Sequence, residues 1–204
     1  MGLVPSKSVL DAANEGRYAI GAFNVNNLEF AKAVIGAAVE ERSPIIVQVS
    51  ESAIAYAGMK QITGIVAGLA GQADVPVSLH LDHGRDWATI VQCIANGFTS
   101  VMIDGSHLPF DENVEITRKV VDVAHAAGVS VEAELGKLAG IEDYVVVDER
   151  DAFLTDPDEA LAFVEKTGVD ALAVAIGTSH GPRKFRGEPV LAIDLVSKIK
   201  AKVG

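Results

Sequence analysis

A chain of 204 residues, 49% of them apolar and 22% charged, is long enough for one sizeable core and too apolar for disorder. Its 17 Lys and Arg against 28 Asp and Glu give a net charge of -11, which disfavours nucleic acid and anionic membranes as partners. No apolar run approaches the roughly 18 residues of a membrane span, Met1 to Leu10 holds no basic-then-apolar leader, and the single Cys93 has no internal partner. A cytoplasmic protein is expected, and an anionic substrate would need a metal or a cluster of donors to offset the overall charge.

In chain order, Ser6 opens a helix to about Glu15, closed by Gly16, and Tyr18 to Phe23 reads as a short strand. Asn26 and Asn27 are candidate caps for an Ala-rich helix from Leu28 to Arg42. Ile45 to Ser50 is a strand, Gln61 to Ala73 a helix and Val77 to Leu81 a strand that runs into Asp82-His83-Gly84. Trp87 to Asn96 is helical, with Gly97 past its end and Cys93 as a buried thiol. A strand from Ser100 to Asp104, a helix from Asp111 to Ala127 ending at Gly128, and a strand from Val129 to Glu134 follow. A long loop spans Gly136 to about Thr155, and Asp156-Pro157 starts a helix to Thr167. Val169 to Ile176 is a strand and Ala192 to Lys202 a final helix.

These are six strand-helix units, and near-continuous apolar strands alternating with helices predict a parallel sheet. No Gly-x-Gly-x-x-Gly follows the first strand, which removes the main signature of a dinucleotide fold. Polar residues mark almost every strand end: Asn24, Ser50, Asp82 and His83, Asp104, Glu134, Ser179 and His180. Residues at all strand ends converge only when the sheet closes into a ring, so the expected fold is a TIM (β/α)8-type barrel. Six units are two short of eight. The expectation is therefore one barrel domain over residues 1–204, truncated so that strands seven and eight lie outside this chain.

His83 and His180 each end a strand and precede a glycine, with Asp104 and Glu134 at the two strand ends between them. Imidazole suits zinc, and a catalytic zinc keeps three protein ligands and one open position, so a third ligand is missing unless a carboxylate substitutes. Asp82 reads equally as a partner orienting the neighbouring imidazole or as a proton carrier. Glu142 and Asp143 lie on the long loop, a candidate lid bringing a base over the mouth. Gly181 allows a backbone amide to approach an anion, and Arg183 or Lys184 can meet a phosphate. His80 reads as buried and hydrogen-bonded, and His107 and His125 as loop and helix-surface residues.

Five segments together resemble a known family: Gly21-Ala-Phe-Asn-Val-Asn26, His80-Leu-Asp-His-Gly84, Val101-Met-Ile-Asp-Gly-Ser-His107, Val131-Glu-Ala-Glu-Leu-Gly136 and Ala173-Val-Ala-Ile-Gly-Thr-Ser-His-Gly181. In this order, over essentially the whole chain, they are similar to the class II, zinc-dependent ketose-bisphosphate aldolases. The resemblance implies reversible cleavage of fructose 1,6-bisphosphate to dihydroxyacetone phosphate and glyceraldehyde 3-phosphate, a step of glycolysis and gluconeogenesis. Tagatose 1,6-bisphosphate is the alternative substrate, and an inactive fragment of such an enzyme the alternative state. It implies Zn²⁺ on His83 and His180, with Asp104 and Glu134 at a second or alternative site for a divalent or monovalent cation. It implies Asp82 as the acid/base at the hydroxyl of the cleaved bond and Glu142 as the loop carboxylate serving the dihydroxyacetone phosphate carbon. Asn24, Ser50, Gly181 and Lys184 match positions near the substrate. The family's third zinc histidine and main phosphate loops belong to its seventh and eighth strands, so the 204-residue chain alone is expected to bind zinc weakly and to lack activity. The full-length protein is expected to be a homodimer or homotetramer that binds a sugar bisphosphate and neither nucleic acid nor membrane.

Three rival readings stand beside this one. A Schiff-base aldolase needs a lysine at a strand end, and no strand here ends on one. A metal-dependent hydrolase would use His83, His180, Asp104 and Glu134 around an activated water. A non-catalytic remnant would serve as a binding or assembly module.

Overall fold

A computed structural model describes residues 2–136, 139–142, 145–147, 153–177, 179–180 and 190–204, with 139–142, 145–147 and 179–180 described by backbone alone. The chain divides into two compact units, one of Met1–Ile103 with Asp122–Val131, the other of Asp104–Val121 with Glu132–Gly204.

The first unit opens with α1 (Ser6–Gly16), β1 (Gly21–Asn24), α2 (Leu28–Glu40) and β2 (Ile45–Ser50). It continues through α3 (Glu51–Ala57), α4 (Met59–Ala70), β3 (Val77–Gly84), α5 (Trp87–Ala95) and β4 (Ser100–Ile103). Helix starts are set by side chains that follow a strand: Asn27 accepts from Phe30 N, Ser50 from Ala53 N and Asp86 from Thr89 N. β1 pairs with β2, β2 with β3 and β3 with β4, all in parallel, with Asn24 opposite Gln48, Gln48 opposite His80 and Ser50 opposite Asp82. Val47, Val49, Leu79, Leu81, Ile62, Val66 and Ile90 fill the core between strands and helices. Cys93 is buried among them, and burial, then the charges of Glu51 and Asp86, pushes its thiol up to about 12.

The second unit holds most of β5 (Ser130–Leu135), then β6 (Ala139–Glu142), β7 (Val145–Val147), α7 (Pro157–Thr167), β8 (Ala171–Val174), β9 (Ser179–His180) and α8 (Ile193–Val203). The helix α6 (Phe110–Ala126) begins in this unit and ends in the first, as β5 begins in the first and ends here. β5 pairs in parallel with β8, Glu134 opposite Ala173. Asp156 caps α7 by accepting from Asp158 N and Glu159 N, with Pro157 in the first turn. Phe163 is fully buried, edge-on to Phe110 with ring centroids 6.0 Å apart.

The hydrogen-bonded strand order is β1-β2-β3-β4-β5-β8, an α/β sheet of six parallel strands, with β7-β6-β9 as a separate three-stranded sheet. Four expectations are corrected. The strand expected at Val77 to Leu81 continues to Gly84, with a register shift between Leu81 and Gly84. The first strand covers Gly21–Asn24 rather than Tyr18 to Phe23, because Tyr18 N still bonds to Ala13 O in the tail of α1. Arg17, not Gly16, takes the left-handed C-cap (φ 56); Gly16 is small because a Cβ there would lie 2.6 Å from the Tyr18 ring. The segment expected as loop from Gly136 holds β6 and β7, paired antiparallel with Gly140 opposite Val147.

Candidate active site

The first unit builds its polar centre on β3. Period-two alternation puts His80 and Asp82 on one face of the strand, and both are buried. A buried carboxylate needs donors, and two neighbouring strands supply them. Asn24 Nδ2 donates to Asp82 Oδ2 at 2.6 Å and Gln48 Nε2 to Asp82 Oδ1 at 3.1 Å. With one amide on each oxygen the carboxylate is held in a single orientation. One layer down, His80 Nδ1 and Ser100 Oγ are 2.8 Å apart, and Ser100 Oγ is 2.8 Å from Ser6 Oγ of α1. Burial pushes the His80 imidazole down to about 4, with the Asp82 charge opposing and His83 adding to the fall.

His83 adopts φ 49, left-handed and uncommon for a residue with a side chain, at the register shift of β3. Two features hold the chain in this bend. A Cβ on Gly84 would lie 2.6 Å from Met102 O and 2.7 Å from Leu81 Cδ2, so only glycine fits there. Glu51 Oε1 accepts from Arg85 N at 2.9 Å, tying the start of α3 to the residue after Gly84. Strained backbone of this kind concentrates where a side chain is aimed for a task.

The second unit contributes buried carboxylates. Asp104 follows β4, and its Oδ1 accepts from Ser106 N at 3.1 Å and Ser106 Oγ at 2.7 Å. Glu134 sits near the end of β5, and one oxygen of each of these two carboxylates lies within 4.8 Å of the other. Two buried like charges this close favour a cation, a shared proton or strong donors between them.

Among the expected site residues, the structure brings Asn24 to Asp82 and Asp104 to Glu134. Ser50 is the N-cap of α3, 3.0 Å from Ser52 Oγ. The side chains of Glu142 and His180, and the whole of Gly181 and Lys184, lie outside the described residues. His80 is buried and bonded as expected, and His107 and His125 are exposed. Sequence reading missed Gln48 and Glu51. The signal for Gln48 was available: it is the one amide inside Ile45-Ile-Val-Gln-Val-Ser50, in register with His80.

The family model described as fructose-bisphosphate aldolase class-II matches residues 4–203. The fructose-bisphosphate aldolase of Thermus caldophilus is 52% identical over 189 residues, which are 93% of this chain and 62% of that protein. The fructose-bisphosphate aldolase of Helicobacter pylori strain 26695 is 49% identical over 199 residues, 97% of this chain and 65% of that protein. The chain thus spans slightly less than two thirds of the length of these relatives. The crystal structure of the YdjI aldolase of Escherichia coli K12 superposes with a TM-score of 0.87 at 36% identity, over 99% of this chain and 70% of that one. By sequence and by fold, the chain belongs to the class II fructose-bisphosphate aldolase family.

Proposed function

We propose that this chain carries the proton-transfer and cation-binding part of a class II aldolase that cleaves fructose 1,6-bisphosphate. The observation that carries the reading is the Asp82 carboxylate, buried at a strand end and held by Asn24 and Gln48. Retro-aldol cleavage needs a base at the hydroxyl of the breaking bond, and a fixed carboxylate at a strand end serves that role. The same group returns the proton in the condensation direction. Glu142 is assigned to proton transfer at the dihydroxyacetone phosphate carbon, and Asn24, Ser50, Gly181 and Lys184 to holding the substrate.

The family implies zinc. Within the second unit the buried carboxylates Asp104 and Glu134 fit a divalent cation, and within the first His83 offers an imidazole on strained backbone. We assign His83 and His180 to the catalytic ion, with Asp104 and Glu134 as a second or alternative cation site. When bound, zinc supplies a Lewis acid to the carbonyl oxygen that takes up charge as the carbon-carbon bond breaks. Among the described residues no single helix is long and apolar enough to cross a membrane. A cytoplasmic homo-oligomer fits the family reading, residues 1–204 forming six units of a (β/α)8 barrel.

The test is to join residues 1–204 to the unmatched remainder of the Thermus caldophilus relative and to assay cleavage of fructose and tagatose 1,6-bisphosphates. Fructose bisphosphate should be the better substrate, cleavage should stop with a chelator and return with zinc, and Asp82→Asn should lower kcat at least 100-fold. Turnover indifferent to chelator and to Asp82→Asn overturns the proposal, as does release of inorganic phosphate instead of triose phosphates. Trapping with borohydride should give no adduct.

A further inference from the structure

We infer that Asn113, on α6, is a positioning residue that sets the geometry of the Asp104 and Glu134 carboxylates, an inference that rests on the cation-site reading above. Asn113 is 1% exposed and lies on the same helical stripe as Val120 and Ala124, the buried face of α6. Its Nδ2 donates to the backbone O of Glu134 at 3.0 Å, and its Oδ1 accepts from Thr117 Oγ1 at 3.2 Å. Thr117 is itself fully buried one turn on. Its hydroxyl claims the amide oxygen, which leaves the amide nitrogen facing Glu134.

The other side of the same amide packs against the residue after Asp104. A Cβ on Gly105 would lie 2.3 Å from Asn113 Oδ1 and 2.8 Å from Cγ. Gly105 has no left-handed φ, so its glycine is there for space. One side chain therefore bonds to the backbone of Glu134 and abuts Gly105, the residue after Asp104. Groups that orient ligand residues typically set cation affinity by 10- to 100-fold. A purely structural buried asparagine would set stability alone.

The probe is Mn²⁺, a cation suited to carboxylate oxygen. It is titrated into the purified 204-residue chain and followed by loss of the free-ion electron paramagnetic resonance signal. Thermal unfolding is recorded beside each titration, and affinities are compared well below each Tm. Asn113→Ala should weaken Mn²⁺ binding 10- to 100-fold. Thr117→Val, which leaves Asn113 in place but frees its amide to turn, should weaken binding in the same direction by less. Gly105→Ala should match Asn113→Ala, and the double variant should be no weaker than the worse single one, because both act through the same amide. Should Asn113→Ala fail to fold, Thr117→Val and Gly105→Ala decide the matter. Affinity unchanged within twofold while Tm falls overturns the inference and leaves the cation site standing. A wild-type chain that binds no Mn²⁺ overturns both, whereas the chimaera's aldol activity tests the catalytic reading by itself.

Discussion

β3 and β1 lie two places apart in one sheet, and their residues meet opposite fates. β3 buries Ser78, His80 and Asp82, while β1 leaves Phe23 54% exposed. The cause is position. β3 has a hydrogen-bonded strand on each side, and these supply Ser100 for His80 and Gln48 for Asp82, with Asn24 reaching Asp82 from β1. Among the described residues β1 pairs with β2 alone, and its apolar ring stays half exposed. Burial in this sheet follows strand order more than residue type, and buried polarity survives where neighbours satisfy it.

The largest test of that contrast is a methyl group placed on each strand. Gly84→Ala sets a Cβ against the Met102 carbonyl and should cost about 3 kcal/mol or more in urea unfolding. Gly21→Ala meets first the Phe23 ring, the far end of an exposed side chain, and should cost less than about 1 kcal/mol. Equal costs would break the comparison.

Acid is the next test. The folded His80 value, about 4, lies below the unfolded value of 6.5. Between the two the unfolded chain binds a proton that the folded chain refuses, so stability is held above pH 6.5 and lost as pH falls toward 4. The loss attributable to His80 should be about 3 kcal/mol. It is read as the difference in urea unfolding free energies at the two pH values, wild type against His80→Gln. An identical pH dependence in the variant would show that β3 does not hold this imidazole neutral.

Asn24 links the two strands, because the edge strand supplies a donor to the central carboxylate. Asn24→Ala should cost about 1 kcal/mol of stability. In the chimaera it should lower kcat through lost orientation at Asp82 and raise KM through the lost hold on substrate. The smallest effect belongs to Phe23→Ser, within about 0.5 kcal/mol of wild type, with less self-association by sedimentation.

Much of this was legible in the sequence. Apolar runs gave the six parallel strands, and Asn27 and Asp156 marked helix starts because a side-chain oxygen before an apolar helix is a local device. Five segments in order gave the family. The rest was hidden for physical reasons. α3 is seven residues long, too short for its periodicity to show, and its start depends on Ser50 acting as a cap. The pairing of β6 with β7 and β9 is a non-local choice that no short window reveals. Gln48 was read past because a polar residue inside a strand is assigned to solvent until its partner is known.

The lone thiol has a consequence of its own. Cys93 is fully buried and held protonated, so a thiol reagent reaches it only in molecules whose first unit has opened. Its labelling therefore keeps time for the protein. Once opening becomes the slow event, the labelling rate should stop rising with reagent concentration and equal the opening rate, a stopwatch already fitted beneath the strand that carries Asp82.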